Sequence, residues 1–478
     1  RLLRPMTRCT IPPLRLPGGV LATTPATKAR TFSARFASVA AAPRVDAQAR
    51  AAVVAEVVRQ HRPGGRYTPI PVADALAAGN PEVTADEVRR ALRDSESGRA
   101  PGVDGLPVDL WAVGGGVWAP FLSCVFSAIG RTGRVPAGFT LGCVAPIPKG
   151  SLDPCDPASY RPITLLNASY KLLARVLATR FAVAMQGTVG PEQTAFLPGR
   201  DIGDGIALTQ LVAAVLAAEQ RPGAAVFLDI AKAYDTVDRA FLQAVMGAMG
   251  AGVGMQQWVS LLLADTRAGA RVDGCMSPPV QWEAGVRQGC PLSPCLYLFV
   301  AQALACWLAA EPSLGLQVAG ARVVSAHHAD DTRVFMNSLA PDPVQCLVQH
   351  LQVFARASNQ HVHPGKSVAV PLGTMQATDP NLTQAVPVRP THKALGVEVC
   401  AVTITQVQHT RPGLRAVVRP PPTTTAPPPL TALWAQRVQS VQAVCGMIQG
   451  LHLSAMGRGM AVSAYALSTV LYHAQHEG

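Results

Sequence analysis

The stretch His327-His328-Ala329-Asp330-Asp331-Thr332-Arg333-Val334-Phe335 decides how the rest of this chain is read. Before it lies the β-type run Ala321-Arg322-Val323-Val324, and after it Thr332, Val334 and Phe335 resume an apolar/polar alternation. The pattern predicts strand, tight turn, strand, with two adjacent carboxylates at the tip. Adjacent aspartates in a turn are ordinarily just turn chemistry, because Asp tolerates the backbone angles and bonds its own backbone. A second stretch changes that reading. Ala224-Ala225-Val226-Phe227-Leu228-Asp229-Ile230 reads as another buried strand ending on a carboxylate, too apolar to tolerate an unpaired charge. Two buried strands that each deliver carboxylates invite divalent cations, and a pair of such cations is the device for in-line displacement at phosphorus.

Composition sets the frame. The chain has 478 residues, 49% hydrophobic and 15% charged, enough for a large core divided into domains or lobes. A net charge of +12 and a pI near 9.4 favour a polyanionic partner. Eleven cysteines are scattered without a Cys-x-x-Cys pair or a Cys/His cluster. That argues against a disulfide framework and a zinc finger, and for a reducing compartment. The longest apolar run, Cys295 to Ala310, contains Gln302 and is bounded by Pro294 and Glu311. It is short for a membrane span and fits a buried helix, so no membrane association is expected.

Residues 1–45 carry basic residues and no acidic one among many Ala, Thr, Ser and Pro. This composition predicts a disordered basic segment, with an organellar transit peptide or the internal remnant of a longer polypeptide as alternatives. A helix is expected over residues 46–60. Another opens at Thr84, with Glu87 completing a capping box. Ala100-Pro101-Gly102-Val103-Asp104-Gly105 by itself is a turn. Lys149-Gly150 and Asp156-Pro157-Ala158-Ser159-Tyr160-Arg161-Pro162-Ile163-Thr164-Leu165-Leu166 follow, then a helix from Lys171 through Arg180. Further on come Gln193-Thr194-Ala195-Phe196-Leu197-Pro198-Gly199-Arg200, Asp229-Ile230-Ala231-Lys232-Ala233-Tyr234-Asp235, and Val286-Arg287-Gln288-Gly289-Cys290-Pro291-Leu292-Ser293-Pro294. In this order and spacing the segments resemble the reverse transcriptases of LINE-type (non-LTR) retrotransposons, from about Gly98 to Val397.

The resemblance implies an α+β right-hand polymerase fold: fingers, a palm of antiparallel sheet plus helices, and a partial helical thumb. It divides the chain into the basic segment 1–45, a helical extension with the Ala-Pro-Gly motif at 46–125, fingers and palm at 126–400, a Pro-rich linker at 401–432 and thumb-like helices at 433–478. The implied activity is RNA-directed DNA polymerase, extending a primer 3′-hydroxyl on an RNA template. Asp229, Asp330 and Asp331 would hold two Mg²⁺ ions (Mn²⁺ as the alternative), with the Ile230 carbonyl as a further oxygen ligand. Lys149 and Arg161 would bind the triphosphate, a point charge and a fork matched to phosphate oxygens. Tyr234 matches the steric gate against a ribose 2′-hydroxyl, Gln288 and Gly289 lie by the nucleotide, and Lys366 is placed to protonate pyrophosphate. Ala394-Leu395-Gly396-Val397 matches the primer-grip hairpin, with Leu395 and Gly396 at its tip. The implied partners are RNA template, DNA primer and deoxynucleoside triphosphates, in a nuclear or cytoplasmic rather than organellar setting, with oligomeric state open.

Asp235 and Asp238 are expected to cap the helix from Arg239 to Met249. Val344 to Ser358 is expected as an amphipathic helix. His328 stands where the family usually has an aromatic before Ala-Asp-Asp, and carboxylates and burial push its pKa in opposite directions. The other readings are a group II intron-type or organellar reverse transcriptase, and an inactive polymerase fold that only binds nucleic acid.

Overall fold

The computed structural model describes residues 11–150, 152–318, 320–377, 385–394 and 397–400. Helices and sheets mix throughout, the coarse α+β class expected. The first helix, α1 (Pro25–Val39), is capped by Thr24, and Lys28, Ala29, Phe32, Ser33 and Phe36 form its buried stripe. The expectation of disorder through residue 45 is therefore corrected over this helix. Composition averages over a chain that is basic on one side and apolar at helical spacing on the other. Two helices of the next segment are α2 (Ala47–Gln60) and α3 (Ala85–Arg93). Thr84 Oγ1 accepts from the Glu87 N–H at 3.2 Å while Glu87 Oε2 accepts from the Thr84 N–H at 2.8 Å, the reciprocal cap foreseen. A third, α4 (Gly115–Thr132), packs on α3.

Strands β1 (Gly142–Pro148) and β2 (Tyr160–Leu166) pair antiparallel, with Ile147 opposite Arg161. Then come α5 (Ala168–Met185), α6 (Ile202–Ala218), β3 (Pro222–Leu228) and α7 (Arg239–Ala248). Strand β4 (Arg267–Val272) lies parallel to β1. The face of this sheet is closed by α1, whose Phe32 meets Tyr160 edge-on at 4.9 Å between ring centres.

After α8 (Ser293–Ala310), strands β5 (Ser325–His328) and β6 (Asp331–Met336) form the hairpin expected around Asp330. Its first strand is Ser325–His328 alone. Ala321–Val323 pairs instead with Leu316–Val318. The amphipathic helix α9 (Pro341–Ser358) buries Val344, Leu347, Leu351 and Phe354, and β7 (Val368–Gly373) completes a four-stranded sheet in the order β5-β6-β3-β7, antiparallel throughout.

The two faces of β3 explain its unbroken apolar run. Ala224, Val226 and Leu228 enter the core that also holds α8, whereas Ala225 and Phe227 pack with Val212 and Leu216 of α6. A strand buried on both faces has no reason to alternate. The helix α8 is long and apolar enough to cross a membrane, but 78% of it is buried inside the fold, as a core helix should be. Thr391–Ala394 and Val397–Cys400 pair antiparallel, while Leu395 and Gly396 between them lie outside the described residues. So do residues 401–432, expected as a Pro-rich linker, and 433–478, expected as thumb-like helices.

Candidate active site

Strand register brings the three aspartates together. Leu228 stands opposite Thr332, so Asp229, one residue beyond β3, lies beside the turn bearing Asp330 and Asp331. On its other side, the Asp229 carbonyl accepts from the His363 N–H at 2.7 Å and the Ala231 N–H donates to the His361 carbonyl at 2.8 Å. In extended backbone, successive residues direct their polar groups to opposite sides. The Ile230 carbonyl, trans to the Ala231 N–H, therefore points away from His361. The Asp229 N–H donates to Ser367 Oγ at 3.2 Å, and Lys366 Nζ stands 3.9 Å from Asp229 Oδ2.

The carboxyls of Asp330 and Asp331 are both held above the usual carboxylate range, first by desolvation and then by carboxylate neighbours that include Asp229. Mutually repelling, partly desolvated carboxylates suit a hard divalent cation, whose charge offsets what water no longer screens. Among the described residues, no three His, Cys, Asp or Glu side chains already form a closed ligand set. A cation would have to draw these carboxylates together.

Burial favours the neutral form of both histidines flanking the turn. His327 is fully buried between Ser325 Oγ at 2.8 Å and Thr332 Oγ1 at 3.0 Å, and burial lowers its pKa to about 3. Burial also lowers the pKa of His328, outweighing Asp201 and Asp330. The direction left open by the sequence is thus downward. Thr194 Oγ1 lies 3.1 Å from His328 Nδ1 and fixes the ring.

Of the other expected site residues, Tyr234 lies within electrostatic reach of Asp330, and Lys149 within reach of Lys366 and Arg161. Tyr234 stacks on Tyr297 of α8 with ring centres 4.8 Å apart, and Asp330 is among the charges that raise its pKa. Lys149 is exposed, and its ammonium donates to the Ala158 carbonyl at 2.8 Å. Its pKa is lowered by partial desolvation and then by Lys366, Arg161 and Arg35. Lys232 is lowered likewise, with Arg35 and Lys149 among the causes. Arg35 comes from α1, in the segment read as disordered, so no sequence signal placed it here. Lys232 lies inside the Asp229–Asp235 motif and could have been named from it.

One expectation needs correction. Asp235 does not cap α7; Asp238 does, accepting from the Phe241 N–H at 2.5 Å and pairing with Arg50 of α2 at 2.9 Å. Asp235 is buried and accepts from Gln288 Nε2 at 2.9 and 3.0 Å. Both carboxylate oxygens of Asp235 thereby orient the Gln288 carboxamide. Gly289, at φ +102°, makes a close backbone approach to β2. A Cβ there would sit 2.6 Å from the Thr164 carbonyl oxygen, and the Thr164 N–H donates to the Gln288 carbonyl at 3.0 Å. Arg287 of the same turn is buried and donates to the Thr140 carbonyl.

Gln193 also stands at the site, with no sequence signal that singles it out. Its side chain bonds the backbone of Ala329, the residue before Asp330, and the segment had been noted only as a motif.

A family described as "Reverse transcriptase (RNA-dependent DNA polymerase)" matches residues 147–399. The chain is 27% identical over 299 residues to the "Transposon TX1 uncharacterized 149 kDa protein" of Xenopus laevis, covering 62% of this chain and 22% of that protein. It is 29% identical over 205 residues to a "Retrovirus-related Pol polyprotein from type-1 retrotransposable element R2" of Popillia japonica, covering 42% and 28%. With the "RNA-directed DNA polymerase from mobile element jockey" of Drosophila funebris it shares 26% identity over 295 residues, covering 60% and 31%. The matched part thus spans less than a third of each of these relatives.

Proposed function

The chain belongs to the reverse transcriptase (RNA-dependent DNA polymerase) family, and from that membership we propose that it is an RNA-directed DNA polymerase of the LINE-type (non-LTR) kind. In this reading it extends a DNA primer on an RNA template with deoxynucleoside triphosphates. The sheet β5-β6-β3-β7 with α8 serves as palm, and β1, β2, β4 and α1 as fingers.

One observation carries the reading: the β3–β6 register sets Asp229 beside Asp330 and Asp331, within electrostatic reach of one another, with Lys366 3.9 Å from Asp229 and Lys149 in turn within reach of Lys366, Arg161 and Lys232. Asp229, Asp330 and Asp331, with the Ile230 carbonyl, would hold two Mg²⁺ ions. Bound there, such ions supply the positive charge that stabilises attacking and leaving oxygens during displacement at phosphorus. Lys149 and Arg161 bind and orient the triphosphate. Lys366, beside Asp229, is positioned to donate a proton to the departing pyrophosphate. Tyr234, packed flat on Tyr297, presents a rigid wall to the sugar. Gln288 borders the base and is oriented by Asp235.

The test is extension of a labelled DNA primer on an RNA template by the purified chain, with Asp229→Asn and Asp330→Asn as controls. Template-dependent extension by the parent and none by either control supports the reading. Tight hybrid binding without extension by the parent overturns it.

A further inference from the structure

The turn that aims Asp330 is held by a side chain from a distant part of the sequence. Ala329 has φ +57°, the left-handed region that a residue with a Cβ avoids. One carboxamide engages both of its backbone polar groups: Gln193 Oε1 accepts from the Ala329 N–H at 2.9 Å, and Gln193 Nε2 donates to the Ala329 carbonyl at 3.3 Å. The same Oε1 accepts from the Ala195 N–H at 3.1 Å, which fixes the orientation of the amide, oxygen toward two donors and nitrogen toward the acceptor.

Gln193 is 1% exposed, so the bonds it makes are not exchanged with water. Its own backbone is docked on β5. Gln193 and His327 form a parallel bridge, the Thr194 N–H donates to the His327 carbonyl at 2.9 Å, and the His327 N–H donates to the Glu192 carbonyl at 2.7 Å. The docked segment is anchored in turn. Arg200 donates to the Gln193 and Val189 carbonyls, each at 2.6 Å, and the Gly190 N–H donates to Gln302 Oε1 of α8 at 2.9 Å. The Tyr67 hydroxyl donates to the Glu192 carboxylate.

We propose that Gln193 is a positioning residue for nucleotidyl transfer: it holds Ala329 in the left-handed conformation that directs the Asp330 carboxylate toward Asp229. The inference rests on the assignment of Asp330 under Proposed function. Without the carboxamide, Ala329 regains access to the right-handed region, and the residue that follows it swings with the turn. The fraction of molecules with both carboxylates in register then falls, and apparent cation affinity falls by that fraction. A glutamine that only satisfied buried backbone groups would affect stability and leave cation affinity alone.

Gln193→Met keeps the length of the side chain and removes its polar atoms. Mn²⁺ is the probe, its binding measured by isothermal titration calorimetry on the unliganded full chain. The expected result is a Mn²⁺ dissociation constant raised about fivefold or more and a kcat lowered about tenfold or more, with KM for deoxynucleotide and affinity for RNA–DNA hybrid within about twofold of the parent. Adding Ala329→Gly should recover about threefold of the lost kcat, because glycine occupies the left-handed region without help. Val88→Ala in α3, a buried site away from the clamp, supplies a stability-matched control.

Unchanged Mn²⁺ affinity in Gln193→Met, or losses no larger than those of Val88→Ala, would overturn the proposal. Should Gln193→Met fail to fold, amide exchange in the unsubstituted chain decides: the Ala329 N–H should exchange as slowly as the amides of β6, and fast exchange removes the clamp. A parent chain that extends no primer contradicts the polymerase reading, while Mn²⁺ binding and Ala329 exchange still judge the clamp.

Discussion

Tyr234 lies flat against Tyr297 while burial and then Asp330 raise its pKa, so one ring both completes a packed face and borders a carboxylate. Tyr234→Ala should raise ribonucleotide incorporation relative to deoxyribonucleotide, and should cost about 0.5–1.5 kcal/mol of stability from the lost ring pair beyond its buried area. Competition assays with paired ribo- and deoxyribonucleotides check the first part; equal discrimination by mutant and parent would return Tyr234 to a packing role. One residue on, Asp235 titrates near pH 6 in the fold, raised from an ordinary 3.8 by burial and held back by Gln288, Lys232 and Lys149. Because the folded pKa lies above the unfolded one, the native state binds the extra proton between these two values. Stability from this group is therefore full below about pH 4 and falls as pH rises toward about 6, by roughly 1–3 kcal/mol. Asp235→Asn should flatten that fall in thermal melts between pH 4 and 7 (a range of roughly three units), and should raise KM for deoxynucleotide more than it lowers kcat, because Gln288 loses its two-oxygen support. Superimposable stability profiles for parent and variant would contradict the assignment. Neither Asp235 nor Gln193 could be given its role from sequence. Both act through a partner far along the chain, and a side chain bonding a distant backbone leaves no local pattern.

Elements divide by the same criterion. The hairpin β5–β6 and the strand β3 were legible because apolar runs ending on aspartate carry their own signal, and α9 because Val344, Leu347, Leu351 and Phe354 keep helical spacing. The Thr84–Glu87 cap was legible because its geometry is set within three residues. By contrast, α1 was missed because its buried stripe is sparse, Phe32 and Phe36 separated by small and polar residues, and its partner sheet is built from residues more than a hundred positions away. The close approach of Gly289 to Thr164 left no local signal, since Thr164 lies on a distant strand. The packing of α1 is testable directly. Phe32, fully buried against Tyr160, should cost about 3–5 kcal/mol when replaced by alanine. Urea unfolding of Phe32→Ala measures this, and a change within experimental scatter would show that the helix does not seal the β1–β2–β4 sheet.

At the scale of the whole molecule, the net charge of +12 acquires a location. Lys149 lies within electrostatic reach of Arg161, Lys232, Lys366 and Arg35, and Lys366 stands 3.9 Å from Asp229, so the cluster draws on more than the N-terminal segment. Affinity for RNA–DNA hybrid should fall steeply with salt, with a logarithmic slope of roughly −0.7 to −0.9 for each phosphate contact. Substituting Lys149 and Arg161 together by glutamine should reduce that slope by about one to two, as expected for cations that meet phosphates directly. An unchanged slope would place the excess charge elsewhere on the surface. The central claim, that register between β3 and β6 assembles a polymerase centre, is tested most directly by primer extension on an RNA template with parent and Asp330→Asn. The account predicts template-directed DNA synthesis by the parent, and a loss of about a hundredfold or more in Asp330→Asn with hybrid affinity retained. Near-parental synthesis by Asp330→Asn would contradict it.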